Sequence, residues 1–302
     1  MWFSNLYFYQ LKQPLTQSQE EIERLLGEMA FSPCGSQDLT RQGWTSPLGK
    51  NSDMFTHIAN NNLLLCLKKE EKLIPASVIK DQLEQKVAEI EEKESRPVKK
   101  AEKTTLKEEI VVTLLPRAFS RSSLTWGYVN LDSGIVAVAV SSASKAEDFL
   151  AHLRKSLGSL PVVPVTGNAP TNIILTEWLK TQELPPQLTL ETEAELKEQE
   201  EDGAIVKLKH HDLSTDEVMN HLENGKMVVN LGLKWQDKIS FVLNEDMSLK
   251  RLKYSDYLKE QNEDIPKEDM LAKIDADFTL VTAELNELIT DLANIVGFSV
   301  DG

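Results

Sequence analysis

Arg117 and Arg121 stand four residues apart in Leu114-Leu115-Pro116-Arg117-Ala118-Phe119-Ser120-Arg121, with Phe119 between them. A guanidinium is a planar fork of donors that can hold a phosphate by two hydrogen bonds at once, so this spacing on a loop or helix end suits an anion. The competing reading has Phe119 filling a core and both arginines paired with nearby acids. A second basic stretch, Leu153-Arg154-Lys155-Ser156-Leu157-Gly158-Ser159-Leu160-Pro161, offers two more cations. They fall in the last turn of an expected helix, where the helix dipole favours positive charge, so a structural role competes with a ligand role.

Other chemistries are poorly served. The sequence has no glycine-rich phosphate loop of the Walker or dinucleotide kind. His210-His211-Asp212 is the nearest approach to a metal set, but neighbours on a strand face opposite ways and do not easily share one ion. Cys34 and His57 have the residue types of a nucleophile and its base, without a third group to orient them; packed structural roles are the alternative. No catalytic residue and no metal ligand is therefore assigned.

Charge sharpens the cationic stretches. The formal net charge is -15. Residues 191–202 carry seven acids against Lys197, and residues 255–302 carry twelve against Lys259, Lys267 and Lys273. Those two segments account for the whole excess, so the rest of the chain is balanced and can present a cationic face. Solvated acidic faces with scattered basic counterions are the plainer alternative. At 302 residues, 41% hydrophobic and 27% charged, the chain has the composition of a soluble globular protein with two or three lobes. Two cysteines without zinc spacing fit a reducing compartment. The apolar start, from Met1 to Tyr9, lacks a basic leader and reads as a strand, and no apolar run reaches the roughly 20 residues of a membrane helix.

These residues need elements to hold them. Ser18 and Glu21 predict a capped helix to about Ala30. Residues 32–54 read as irregular. Phe55 to Leu67 predicts two strands turning at Asn60-Asn61-Asn62. Residues 68–109 hold eleven basic and eleven acidic residues, which predicts a two-helix projection broken at Pro97, its second helix beginning near Thr104. It is either a solvated hairpin or an oligomerisation tip. A hairpin follows around Asp132-Ser133-Gly134, then a helix capped by Ser144 and Glu147 and ending at Gly158. Asn172 to Thr176 is a strand candidate, and Pro185 to Asp202 reads as a connection. Ile205 to Lys209 is a strand with Lys207 and Lys209 on one face. Ser214 and Glu217 cap a short helix, and Met227–Trp235, Lys238–Leu243 and Leu249–Tyr254 form a meander. Phe278 to Val296 repeats apolar residues every three or four positions, as a packed helix does. The pattern is α+β, with mostly antiparallel sheets, capped helices and a helical projection. The expected division is 1–75 with 116–170 as an N-terminal lobe, 76–115 as the projection and 171–302 as a C-terminal lobe.

The ordered stretches Met29–Asp38, Lys69–Lys72, Leu114–Arg121, Leu153–Pro164, Leu175–Trp178, Ser248–Lys253 and Gln261–Asp264 resemble the bacterial recombination-associated RdgC family along nearly the whole chain. The resemblance implies a homodimer closed into a ring around a cationic hole. Double-stranded DNA passes through it, single-stranded DNA is a second possible guest, and sequence preference is low. It implies a protein that limits RecA-driven strand exchange and helps maintain replication forks, without enzymatic activity or cofactor, in the cytoplasm on the nucleoid. It also implies an interface in which Phe119 packs near His210 and His211. Those two histidines depart from the Lys-Gln expected of the family at that contact. The candidates for the hole are Arg117, Arg121, Lys145, Arg154, Lys155, Lys207, Lys209, Lys250, Arg251 and Lys253. Two other readings stay open: a scaffold that engages recombination proteins directly through the acidic segments or the projection, and a nucleic-acid-processing enzyme.

Overall fold

A computed structural model describes residues 2–298 apart from Asn51, Glu201, Lys267 and Glu268. Met1, Glu201, Lys267, Glu268 and Asp301, which enter the expectations above, lie outside the described residues. The seven-stranded sheet is built from β1 (Tyr7–Leu11), β2 (Thr40–Thr45), β3 (Thr56–Ala59), β4 (Asn62–Leu73), β5 (Phe119–Asn130), β6 (Ile135–Val138) and β7 (Val162–Pro164). Its order is β2-β4-β5-β6-β1-β7, with β3 also lying against β4. The five-stranded sheet contains β8 (Leu188–Lys197), β9 (Ile205–Lys209), β10 (Met227–Trp235), β11 (Ile239–Asn244) and β12 (Leu249–Tyr254), in the order β12-β11-β10-β8-β9. Every strand pairing is antiparallel, as the interleaved hairpins and helices predict.

Asn62 to Leu67 is continuously buried because this sheet is covered on both faces. Leu63, Leu65 and Val129 pack with α1 (Gln19–Gly27) and α4 (Ala143–Leu157). Leu64 and Tyr128, one residue out of phase, pack with the five-stranded sheet and with α8 (Met270–Val296). Ser18 caps α1 by accepting the Glu21 amide. Gly127 sits directly beneath α4: a Cβ there would lie 2.7 Å from the Phe149 ring.

Side chains and backbone join the two sheets. Leu6 and Leu249 exchange backbone hydrogen bonds of 2.9 and 3.0 Å. The buried Asn62 carbonyl accepts from Asn130 at 3.1 Å and from Asn286 of α8 at 3.2 Å. Lys250 donates to the Tyr7 hydroxyl at 2.7 Å and to the Ser141 carbonyl at 2.9 Å.

Beyond Leu67, β4 and β5 continue as a solvated ribbon carrying α2 (Ala76–Glu94) and α3 (Lys100–Leu114). These helices bury little: no residue of α2 and Ile110 of α3. Arg96 pairs with Glu94 and Glu102, and Glu91 accepts from the Val98 amide, closing the bend around Pro97.

The structure corrects several expectations. Residues 68–73 extend β4 rather than start a helix, and α3 begins at Lys100, before Thr104. Thr40–Thr45 inside the expected irregular stretch is β2, paired along β4. Asn172–Thr176 lies in α5 (Thr171–Thr181), which buries Thr171, Leu175, Trp178 and Leu179 at helical spacing. The expected connection after Pro186 contains β8, an inner strand whose period-2 residues Leu188, Ala194 and Leu196 are buried among carboxylates. The N-cap of α4 is Ser142, and that of α6 (Asp216–Glu223) is Thr215; neither side chain accepts a capping bond. A short α7 (Asp256–Glu260) follows the meander.

Candidate nucleic-acid interface

β6 stops at Val138 while β5 runs on toward the helical hairpin, leaving a cleft of about 700 Å³ beside β5. Arg121 and Lys145 both line it, with Lys69 of β4, Gln42 of β2 and the serines 122, 123 and 141. Arg121 lies on the ladder opposite Glu71 and binds its carboxylate, which holds that carboxyl below the usual range, first by hydrogen bonding and then by charge. Lys145 lies exposed near the start of α4, forms no close ion pair among the described residues, and adds its charge to the lowering of the Glu71 carboxyl.

Arg117 ends a single 3-10 turn, Leu115–Arg117, at the root of α3. It is exposed, and Phe119, two residues on, opens β5 with 84% of its surface in solvent. The core-filling alternative for Phe119 therefore fails within one chain. At the other end of α4, Arg154 donates to the Leu160 carbonyl at 3.3 Å and Lys155 is exposed; Gly158 closes the helix in the left-handed conformation, as expected.

A second cationic group lies on the five-stranded sheet. Lys207, Lys209 and Arg251 share a small cleft with Glu193 and Glu195. Two of the three cations are matched: Lys207 to Glu195 at 3.2 Å and Arg251 to Glu193 at 2.6 Å. Lys253 projects to solvent from β12. Lys250 is turned inward, its ammonium 3.9 Å from the Tyr7 ring centre, so its charge serves the joint between sheets.

His210 has left-handed backbone (φ 52°) just past β9 and is exposed. His211 has Nδ1 2.8 Å from the Asp212 carbonyl and Nε2 3.8 Å from Glu217. Phe119 and this pair belong to different sheets of the monomer. Cys34 lies 3.5 Å from the Glu70 carbonyl and His57 bonds Asp275 at 2.7 Å, so they do not act as a pair; burial pushes the Cys66 thiol up to about 12. Among the described residues, no three His, Cys, Asp or Glu side chains are grouped to hold a metal ion, and no helix is long and apolar enough to cross a membrane.

A family model described as "Putative exonuclease, RdgC" matches residues 1–299. The chain belongs to the RdgC family. The recombination-associated protein RdgC of Aeromonas hydrophila is 50% identical over 297 residues, covering 98% of both chains. The RdgC protein of Psychromonas ingrahamii is 49% identical over 289 residues, 96% of each chain, and that of Yersinia enterocolitica 47% over 297, 98% of each. The sequence resemblance and the family match thus agree from end to end.

Sequence reasoning missed Lys69, Trp126 and the open side of β5 within this RdgC fold. The signal for Lys69 was present: Lys68 to Lys72 continues the β4 alternation, with Lys69 opposite both Gln42 and Ser123.

Proposed function

We propose that two copies of this chain enclose double-stranded DNA in a cationic channel, hold it without reading its sequence, and so limit RecA-driven strand exchange. The observation that carries this reading is the state of the exposed cations. Arg117, Arg154, Lys155, Lys209 and Lys253 have no carboxylate partner among the described residues, although the chain carries fifteen excess negative charges. Unmatched cations on an acidic protein are suited to phosphates, which position a duplex but carry no base information. The exposed Phe119 supports closure by a second copy, because an aromatic side chain that its own chain leaves in solvent is the residue type that anchors protein interfaces. His210 and His211 are its proposed neighbours across that contact. The names of the relatives support a place in recombination, and a nucleoid location in the cytoplasm follows from the same reading.

Binding to duplexes of unrelated sequence across a salt series tests this. Six to ten phosphate contacts should lower affinity by about 10³–10⁵ between 50 and 200 mM salt. A flat response, or strong preference for one sequence, overturns the reading. Encirclement adds that covalently closed circles retain the protein at salt that releases it from linear DNA.

The family description favours a second reading, exonucleolytic cleavage. End-labelled DNA incubated with the protein and divalent metal separates the two: shortened strands support the enzyme, and intact strands dismiss it. RecA capture that survives nuclease treatment would instead support the scaffold reading.

A further inference from the structure

The last rung between β5 and β6 is the Ala139 amide donating to the Trp126 carbonyl at 2.8 Å. Past it, Phe119 to Leu124 are all exposed and pair with β4 alone. Alternate residues of a strand direct both N–H and C=O to the same side. Since Trp126 points away from β4, so do Leu124, Ser122 and Ser120. Their backbone groups have no protein partner among the described residues. An edge with free donors and acceptors is a template for another strand.

We propose that this edge binds an extended peptide in which acidic and apolar residues alternate. The two sides of the strand differ. Arg121 and Ser123 share the face of Val129, toward α4, where Lys69 and Lys145 also line the cleft. Leu124 and Trp126 share the face of Tyr128, where Trp2 and Phe3 complete the wall. An added strand would set its carboxylates against the cations and its apolar side chains against Leu124 and the tryptophans. A peptide fits better than a nucleic-acid strand, because the three free carbonyls need donors, which a phosphodiester backbone lacks. This inference goes beyond the DNA reading and does not depend on it.

The test is fluorescence anisotropy with a labelled decapeptide alternating Glu and Val. Saturable binding is expected, and methylating alternate amides in one of the two registers should weaken it about tenfold or more. Ser122→Pro removes an amide that points away from β4, so it costs no ladder bond. It should abolish peptide binding while leaving the melting transition in place. Arg121→Gln should weaken the peptide several-fold and flatten its salt dependence. Equal binding of both N-methylated registers and the parent overturns the proposal in the unaltered protein. So does full peptide affinity in folded Ser122→Pro. If Ser122→Pro instead shifts sedimentation toward smaller species, the edge belongs to a second copy. If oligo-dT, and not the peptide, loses affinity, it belongs to nucleic acid. Failure of the unaltered protein to bind duplex DNA would sink the ring reading alone.

Discussion

The two halves of one strand pair obey different rules. Asn62–Leu67 with Thr125–Asn130 lies between two hydrophobic cores, whereas Lys68–Leu73 with Phe119–Leu124 runs into solvent on the same unbroken ladder. Backbone pairing is common to both, so side-chain burial is what separates the structural half from the solvated one. The change comes where β6 ends and α4 no longer covers the sheet. Hydrogen bonding alone carries the ribbon outward, and its charged side chains keep it soluble.

The largest test of this contrast is Leu65→Ala. Leu65 is 1% exposed, and its truncation should cost about 2–5 kcal/mol in denaturant unfolding, against within about 0.5 kcal/mol for Leu124→Ala on the ribbon. Similar costs at the two sites would erase the distinction.

Lys250→Met comes next. It deletes the contacts to Tyr7 and Ser141, and should destabilise by about 1–2 kcal/mol while leaving the salt slope of DNA binding unaltered. A slope reduced by about one phosphate, with stability intact, would return Lys250 to the binding surface.

A smaller effect should come from pH. Burial first, then the Lys155 charge, depress the His152 pKa, so the folded state prefers neutral imidazole. Its stabilisation is present above the unfolded value of about 6.5 and erodes as pH falls through that value toward the folded one. Melting temperature should therefore be lower at pH 5.5 than at 7.5, and His152→Gln should narrow the gap; an unchanged gap would remove His152 as its source.

The smallest effect on the fold belongs to Phe119→Ala, within about 0.5 kcal/mol, although the same change should weaken self-association about tenfold. Sedimentation and DNA retention identical to the parent protein would refute the closing role of Phe119.

Elements with one clear period were legible from the sequence. The α8 repeat, the meander and the turns at Asn60-Asn61 and Ser133-Gly134 appear where the residues predict them. Period failed where charge or shortness hid it. Carboxylates masked β8, and the apolar run at Ile173-Ile174-Leu175 suits a strand as well as a helix. β2 carries no apolar alternation of its own and depends on pairing with β4. For the candidate site, residue type was legible and direction was not. Lys250 reads like its neighbours Arg251 and Lys253, yet its partner Tyr7 lies 243 residues away in the chain. Ion pairing of Arg121, Lys207 and Arg251 with β4 and β8 acids likewise depends on strand register, which one sequence does not reveal.

Gly127 bears on this same question of direction. The height at which α4 rides over β5 is set by the missing methyl group beneath Phe149. Any side chain there would act as a shim, tilting the helix and moving Lys145 at one end and Arg154 and Lys155 at the other. Spacing between charges far apart on the surface is thus tuned by an atom the chain does not have, at a position that need never touch a ligand.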